Sequence, residues 1–259
     1  MRSATPKREL GQHWLVDENI VAVAGRLAEL EEDDVVLEIG PGLGALTAFL
    51  ADRVRLVHAV ELDCSVEPRL RRRLGRRGNV EIMFGDALSL PLHELDPPPT
   101  KLVANLPYHV ATPLVVESLD GLPTLALWCV MVQREVADRF FAAPGTKPYG
   151  AVSVLVQLTA DRSGFHPVAR TVFRPPPNVD SALVSFRRRR TWDPEYERLK
   201  RVVQGGFAHR RKTLPNSLEL AGVTDRTRAV EALAALGRSA EVRAEALAPA
   251  EFEHLAALV

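Results

Sequence analysis

The feature that most constrains the fold of this sequence is a regular alternation of short apolar runs with helical segments. The helical segments have the 3–4-residue spacing of amphipathic helices, and the apolar runs have the length of buried strands. The apolar runs lie within residues 33–40, 56–63, 79–88, 100–108 and 124–132. This alternation is typical of βαβ units, so the sequence predicts an α/β fold with a mostly parallel, doubly wound sheet.

The later part of the chain has a different pattern. Two β-rich runs, residues 149–160 and 181–190, flank a proline-rich loop at 173–179 and are predicted to form an antiparallel hairpin at the sheet edge. From about residue 193 the pattern is helical, with Ala and Leu dominant. We therefore expect two domains, residues 1–190 with the sheet and residues 191–259 as a small all-helical domain.

The overall composition limits the partners and the compartment. Lys plus Arg and Asp plus Glu both total 33, so the net charge is zero, which argues against nucleic-acid binding by bulk charge but allows a local basic face. Two cysteines, Cys64 and Cys129, cannot form a disulfide framework or a zinc site. The sequence has no signal-peptide or membrane-helix run. We expect a cytoplasmic monomer without metal or membrane partners.

A glycine-rich loop follows the first predicted strand. Residues 40–44 read Gly-Pro-Gly-Leu-Gly, and Gly40 and Gly42 let the backbone turn tightly beside a ligand at the next helix. Glu61 ends the next strand, where an acid in a doubly wound fold faces a ribose. The loop and the acid together predict a nucleoside-binding crevice.

Glu38 bears on which nucleoside cofactor the crevice accepts. It directly precedes the glycines, where a carboxylate would repel the pyrophosphate of NAD(P) and attract the cationic methionyl part of S-adenosylmethionine. The glycine spacing also differs from the dinucleotide pattern G-x-G-x-x-G. The alternative interpretation is a plain turn with Glu38 facing solvent.

Asp86 and Ala87 end the third strand at the same predicted crevice. The carboxylate of Asp86 can accept a hydrogen bond from the amino group of a cofactor adenine. Because a Gly-Asp pair is also common in turns, the pair alone is weak evidence for a cofactor contact. Its position at the end of a strand beside the crevice is the stronger evidence.

The fourth strand ends in Asn105-Leu106-Pro107-Tyr108. The Asn105 oxygen and the Leu106 carbonyl can accept hydrogen bonds from an exocyclic amine, and they stabilise the positive charge that the amine gains on methylation. Pro107 fixes the loop, and Tyr108 can stack on the base. The alternative is a strand and turn with Tyr108 in the core.

Across nearly its whole length, the sequence resembles the small-subunit ribosomal RNA adenine N6,N6-dimethyltransferases, the family of the kasugamycin-sensitivity enzyme. The resemblance implies a Rossmann-like class I methyltransferase domain that uses S-adenosylmethionine, followed by a helical domain. It also implies cofactor contacts at His13, Leu15, Gly40, Glu61, Asp86 and Asn105. The matching segments are GQHWL (11–15), VLEIGPGLGALT (36–47), VELD (60–63), GDAL (85–88), NLPYHVATPL (105–114), VQREVADR (132–139), KPYGAVSV (147–154), FRPPPNVDSALV (173–184) and FAHRRKTLPNSL (207–218).

The first of these motifs departs from the family pattern, which usually reads Gly-Gln-Asn-Phe-Leu. Here His13 and Trp14 replace the Asn and Phe. A histidine still offers a polar nitrogen, but its bulk and titration differ from those of an amide.

Basic residues predict the RNA-binding face. Arg210, Arg211 and Lys212 lie in a segment that matches the family, and we expect them to contact phosphates. Arg134 is a further candidate for positioning RNA, with pairing to Glu135 or another acid as the alternative. Two further basic clusters lie at 69–77 and 187–190. Phosphate contacts would be their function, the alternative is a solvated face, and for 69–77 that alternative is an exposed helix.

The resemblance implies dimethylation of two adjacent adenosines in the 3′-terminal hairpin loop of 16S rRNA, within the 30S subunit or its precursor. One alternative is a large-subunit (23S) rRNA methyltransferase that confers macrolide resistance. Another is a non-catalytic RNA-binding assembly factor of the same fold.

Overall fold

The computed structural model describes residues 12–192 and 195–259, and its central element is a seven-stranded sheet. The strands of the described residues, of which β1 and β8 lie outside this sheet, are β1 (Trp14–Leu15), β2 (Val35–Ile39), β3 (Leu56–Glu61), β4 (Val80–Phe84), β5 (Lys101–Asn105), β6 (Leu127–Gln133), β7 (Ala160–Val168), β8 (Phe173–Arg174) and β9 (Ser181–Arg188). The helices are α1 (Glu18–Leu27), α2 (Ala45–Ala51), α3 (Glu67–Leu74), α4 (Ala111–Gly121), α5 (Arg134–Phe140), α6 (Ala151–Thr159), α7 (Tyr196–Ala208), α8 (Leu214–Leu220), α9 (Arg226–Ala235) and α10 (Pro249–Leu258).

The strand order in this sheet is β4-β3-β2-β5-β6-β9-β7. Strands β2 to β6 pair in parallel, and β9 pairs antiparallel with β6. The predicted α/β class with a mostly parallel sheet is confirmed. Because β2 lies between β3 and β5, the chain order reverses there, and such a reversal opens a crevice at the carboxyl ends of the strands. Strands β1 and β8 form a separate antiparallel pair.

Alternate side chains of the strands fill the two faces of the sheet. On one face, Val36, Val57 and Cys129 belong to a core cluster that includes residues of α1 and α2. On the other face, Trp128 stacks on Phe186 at 5.2 Å, and its Nε1 donates to Ser118 Oγ of α4 at 2.8 Å. Burial on both faces explains why these strands read as continuous apolar runs.

The predicted strand at 149–160 is wrong, because residues Ala151–Thr159 form helix α6. Seven of the nine α6 residues are buried, and a helix that is apolar on nearly all sides lacks the periodicity that would distinguish it from a strand. The strand begins only at Ala160, where β7 follows directly and lies beside β9 at the sheet edge. Ser163 Oγ of β7 donates to Ser185 Oγ of β9 at 2.9 Å.

The chain divides into two compact units. The first contains the described residues up to Ala137 together with Asp161–Arg188, and the second contains Asp138–Ala160 and the described residues from Arg189 onward. The second unit is helical, and in it the half-buried Phe207 stacks on the buried Phe252 at 5.6 Å between ring centroids. The division into domains at 190/191 stays a prediction, and the helical unit also takes in α6.

The two cysteines differ in environment. Cys129 is buried in β6, which raises the pKa of its thiol to about 12, whereas Cys64 is exposed. Among residues 12–192 and 195–259, no group of three or more His, Cys, Asp or Glu side chains is placed to hold a metal ion. Over the same ranges, the structure has no helix that is long and apolar enough to cross a membrane.

The close approach of α3 to the start of α2 gives a stability prediction. Gly44 has a φ of +78°, and a Cβ there would lie 2.7 Å from Leu70 Cδ1. We expect Gly44→Ala to lower the free energy of unfolding by about 2–4 kcal/mol, through the left-handed backbone and the overpacking against Leu70. In a Leu70→Ala background the same change should cost only about 1–2 kcal/mol, the backbone part alone. Urea denaturation of the four proteins measures the coupling, and equal costs in both backgrounds would show that Leu70 moves aside freely.

Candidate active site

A cleft opens at the carboxyl ends of β2 to β5, within the first unit. Its empty space is about 1090 Å³, a figure that includes the part open to solvent. It is lined by every residue predicted to bind the cofactor or to act in catalysis: His13, Leu15, Glu38, Gly40, Gly42, Glu61, Asp86, Ala87, Asn105, Leu106, Pro107 and Tyr108. Gly11, from the first motif, lies outside the described residues.

Glu61 joins the end of β3 to the glycine loop. Its side chain is buried and accepts hydrogen bonds from the backbone N–H of Gly42 and of Asp63, both at 2.9 Å. Gly42 has a φ of +54°, and a Cβ there would lie 3.2 Å from Trp14 Cδ1, so the position suits glycine. Burial raises the pKa of Glu61, and the two backbone hydrogen bonds oppose that shift. The carboxylate therefore sits at the loop, where it can also meet a ligand hydroxyl.

Glu38 is almost fully buried, with 1% of its surface exposed. The alternative interpretation, in which Glu38 faces solvent, is therefore wrong. Burial raises the pKa of Glu38 to about 8; the side-chain hydroxyl of Thr47 opposes the shift, and the charge of Glu61 adds to it. Glu38 Oε2 has no hydrogen-bond partner within the described part of the chain. A buried carboxyl oxygen without a hydrogen-bond donor is costly, so this atom fits a site that is completed by a cationic donor.

Asp86 and Leu62 flank another part of the cleft. Asp86 is exposed, and its Oδ1 accepts from the backbone N–H of Leu88 at 2.9 Å. Leu62 follows Glu61 and is 51% exposed, which is high for a leucine. An exposed apolar side chain beside polar groups is suited to cover a flat aromatic ring. Sequence reasoning missed Leu62, although a leucine between two acids at a strand end was a usable signal.

Asn105 contacts the N-terminal segment. Its Nδ2 donates to the His13 carbonyl at 3.3 Å, and its Oδ1 makes no hydrogen bond within residues 12–192 and 195–259. The next residue, Leu106, is buried, and its N–H donates to the Met131 carbonyl at 3.0 Å. The Asn105 side-chain nitrogen is thus held by a hydrogen bond within the protein, while the Asn105 side-chain oxygen is available as an acceptor.

Tyr108 is only partly buried and lines the cleft, so it is not a core residue. Its hydroxyl is hydrogen-bonded to Ser181 Oγ at 2.8 Å, and its ring stacks on His13 with 5.7 Å between centroids. His13 Nδ1 lies 2.8 Å from the Pro175 carbonyl oxygen, near the β1–β8 pair. Sequence reasoning missed Ser181 and Gln12, whose Nε2 donates to Asp63 Oδ2 at 2.9 Å.

The predicted RNA-binding residues do not line the cleft. Arg134 is exposed at the start of α5 in the first unit, with its guanidinium 4.8 Å from the centre of the Phe165 ring. Arg210, Arg211 and Lys212 are exposed in the turn after α7, in the second unit. Arg210 Nη2 lies 3.8 Å from Glu245 Oε2, an exposed pair of small energetic value.

The basic run at 187–190 is largely used within the protein. The Arg188 guanidinium lies over the Trp128 ring and donates to three backbone carbonyls, those of Leu119, Leu122 and Leu125. Arg187 pairs with Glu29, and Arg190 pairs with Glu253. This run is thus committed to internal contacts.

Comparison with known proteins bears on the chemistry of the cleft. The ribosomal RNA adenine dimethylase family profile matches residues 4–253. The ribosomal RNA small subunit methyltransferase A of Rubrobacter xylanophilus is 51% identical, over 97% of this chain and 94% of that protein. The protein of the same name from Kineococcus radiotolerans is 43% identical, over 98% of this chain and 86% of that protein. The resemblance drawn from the motifs is confirmed.

Two solved structures share the fold. A dimethyladenosine transferase from Plasmodium falciparum superposes with a TM-score of 0.76 at 23% identity, covering 94% of this chain and 96% of that one. The 23S rRNA methyltransferase ErmE gives a TM-score of 0.67 at 29% identity, covering 94% of this chain and 98% of that one. The predicted class I methyltransferase fold is confirmed.

The buried Glu38 predicts a pH-dependent stability. Burial raises the pKa of Glu38 from 4.5 to about 8, so over this range the folded protein holds a proton that the unfolded chain releases. The resulting stabilisation is complete below the unfolded value and is lost as the pH rises through the folded value.

We therefore expect the free energy of unfolding to fall between about pH 5 and pH 8, and to fall less in Glu38→Gln. Some dependence should remain in the variant, because the pKa of Glu61 is raised as well. Urea denaturation across this pH range measures both slopes. Identical slopes would mean that Glu38 is ionised throughout in the folded protein.

Proposed function

Because the chain belongs to the ribosomal RNA adenine dimethylase family, we propose that it dimethylates N6 of two adjacent adenosines in the 3′-terminal hairpin loop of 16S rRNA. The observation that carries the proposal is a single cleft that holds both the buried acids Glu38 and Glu61 and the Asn105–Tyr108 loop. The substrate is the rRNA within the 30S subunit or its precursor, and the modification takes part in 30S biogenesis. The protein acts as a monomer in the cytoplasm.

S-adenosylmethionine fits the acids of the cleft as the methyl donor. When bound, it would supply a methyl group from its sulfonium: the carbon–sulfur bond breaks as the carbon–nitrogen bond forms, the neutral thioether leaves, and the methylated amine then loses its extra proton to water. Glu38, with its unpartnered buried oxygen, accepts from the ammonium of the methionyl part. Glu61 accepts from the ribose hydroxyls, and Asp86 accepts from the adenine amino group.

The remaining predicted cofactor contacts surround these acids. Gly40 and Gly42 let the loop backbone approach the ligand closely. His13 and Leu15 close the cleft from the N-terminal segment, and Ala87 borders the adenine.

The Asn105–Tyr108 loop acts on the target base. The Asn105 oxygen and the Leu106 carbonyl accept the N–H bonds of the adenine N6 amine, a poor nucleophile because its lone pair is delocalised into the ring. These acceptors make the nitrogen more pyramidal and stabilise its developing positive charge. Pro107 stiffens the loop, and Tyr108 stacks on the base.

The two alternatives have less support. The relatives named as small-subunit methyltransferases are 51% and 43% identical, whereas ErmE, the 23S enzyme, is 29% identical. A non-catalytic assembly factor would not need an intact set of Glu38, Glu61, Asp86 and Asn105 in one cleft.

Transfer of labelled methyl groups to purified, undermethylated 30S particles, 50S particles and naked 16S rRNA tests the proposal. We expect incorporation into 30S particles, recovered as N6,N6-dimethyladenosine on digestion. Incorporation into 50S particles alone would replace the proposal by the 23S alternative. Binding of S-adenosylmethionine without incorporation into any particle would favour the assembly factor.

Removal of the Asn105 acceptor should slow the chemical step. We expect Asn105→Ala to raise its barrier by up to about 3–4 kcal/mol, the loss seen when one preorganised hydrogen-bonding group is removed from a transition-state site. The monomethylated amine retains one N–H, so N6-monomethyladenosine should accumulate as the site weakens. The measurement is mass spectrometry of digested rRNA over a single-turnover time course at saturating cofactor.

Calorimetric cofactor affinity is the control for Asn105→Ala, because this residue also lies in the cofactor part of the cleft. A wild-type rate with no monomethyl product would refute the mechanism and leave the cofactor assignment standing.

The basic turn after α7 gives an electrostatic prediction. Replacing Arg210 and Arg211 with Ala should weaken RNA binding and reduce the slope of log affinity against log salt by about 0.7–0.9 per lost phosphate contact. Cofactor affinity should not change. Arg228→Ala, at an exposed arginine of α9, is the matched control and should keep the wild-type slope. An unchanged slope in the double variant would identify the turn as a solvated face.

A further inference from the structure

We propose that Ser181 is a positioning residue, which orients the ring of Tyr108 for stacking on the target base and thereby raises the rate of methyl transfer. This inference rests on the proposed function, in which Tyr108 receives the base. It assigns a role to Ser181, a residue that reaches the cleft only through its contact with Tyr108.

The two residues differ in rigidity. Tyr108 lies in the loop after β5, outside any helix or strand. Ser181 is the first residue of β9, is 1% exposed, and pairs in register with Gln133, the last residue of β6. The Arg134 N–H donates to the Asp180 carbonyl at 3.0 Å, which extends the ladder past Ser181. The hydrogen bond therefore attaches a loop side chain to a fixed point on the sheet.

Two neighbours of Tyr108, Ser181 and His13, restrict different motions of its ring. A phenol hydroxyl lies on the long axis of its ring, so the 2.8 Å bond to Ser181 Oγ fixes the direction of that axis. Rotation about the axis does not move the hydroxyl, and it is limited instead by the stack with His13 at an interplanar angle of 30°. His13 is in turn held by the Pro175 carbonyl oxygen.

A ring held in this way stacks on an incoming base without first losing orientational freedom. Preorganisation of this kind favours the reactive arrangement over mere binding. Loss of the Ser181 hydroxyl leaves the ring in place but free to tilt, so the base still binds and reaches the reactive pose less often. The effect should fall on kcat more than on KM.

The kinetic test compares Ser181→Ala, Tyr108→Phe and the double variant on 30S particles. We expect each single variant to slow single-turnover methylation about 3- to 10-fold, the range for loss of one neutral hydrogen bond. The double variant should be no slower than the slower single variant, because both changes delete the same bond. Ser181→Thr, which keeps a hydroxyl, should recover most of the rate, and cofactor affinity should stay unchanged throughout.

Ser185→Ala is the matched control. Ser185 lies on the same strand, is also 1% exposed and is hydrogen-bonded to another serine, Ser163. A merely structural effect of deleting a buried β9 hydroxyl would appear in both variants, whereas loss of positioning appears only at Ser181.

A second readout does not depend on activity. The chain has three tyrosines, so ¹³C-tyrosine NMR resolves Tyr108, with Tyr108→Phe giving its assignment. Ser181→Ala should shift the Tyr108 resonance and broaden it, while Ser185→Ala should leave it unchanged.

Several results would overturn the inference. These are a wild-type rate in Ser181→Ala, additive losses in the double variant, or an unshifted Tyr108 resonance in Ser181→Ala. If wild-type protein methylates 50S and not 30S particles, the proposed function fails; the same comparison on 50S particles then decides the role of Ser181.

Discussion

The parallel pairing of β2 with both β3 and β5 is the constraint on which the rest of the site depends. It places the ends of three strands at one edge of the sheet, so that Glu38, Glu61 and Asn105 border a common space. Because the chain runs from β2 through β3 to β4 on one side and then returns to β5 on the other side, no crossover covers that edge, and a ligand can enter. The bond from the Gly42 N–H to the Glu61 carboxylate then ties the glycine loop to the neighbouring strand.

The electrostatics of the cleft follow from burial. A chain with zero net charge concentrates two carboxyl groups in one apolar crevice, and burial raises the pKa of both. Removing such groups from water is unfavourable unless a partner compensates. A ligand with cationic and hydroxyl groups stabilises the ionised form of these acids and so supplies that compensation, whereas a pyrophosphate does not. The proposed preference for S-adenosylmethionine over a dinucleotide is thus a consequence of where these acids lie.

The target side of the cleft is assembled from distant parts of the chain. Strand β1 pairs with β8, which brings His13 to Pro175, 162 residues away. The antiparallel pairing of β6 with β9 brings Ser181 to Tyr108, 73 residues away. Two antiparallel ladders, β1–β8 and β6–β9, therefore fix the aromatic group proposed to receive the base.

By itself, the sequence determined the features that depend on local pattern. The strand–glycine–helix alternation specified the α/β class, and the acids and the Asn105–Tyr108 loop stood at strand ends that parallel pairing must bring to one edge. Local pattern did not identify α6 as a helix, because this segment is buried on nearly every side and its sequence shows no helical period. Local pattern also could not show that the Arg188 guanidinium donates to carbonyls more than 60 residues away. Nor could it show that Ser181 contacts Tyr108. Only tertiary structure decided these, because a side chain's role depends on the partner that folding supplies, and pairings between strands far apart in the chain leave no local signal.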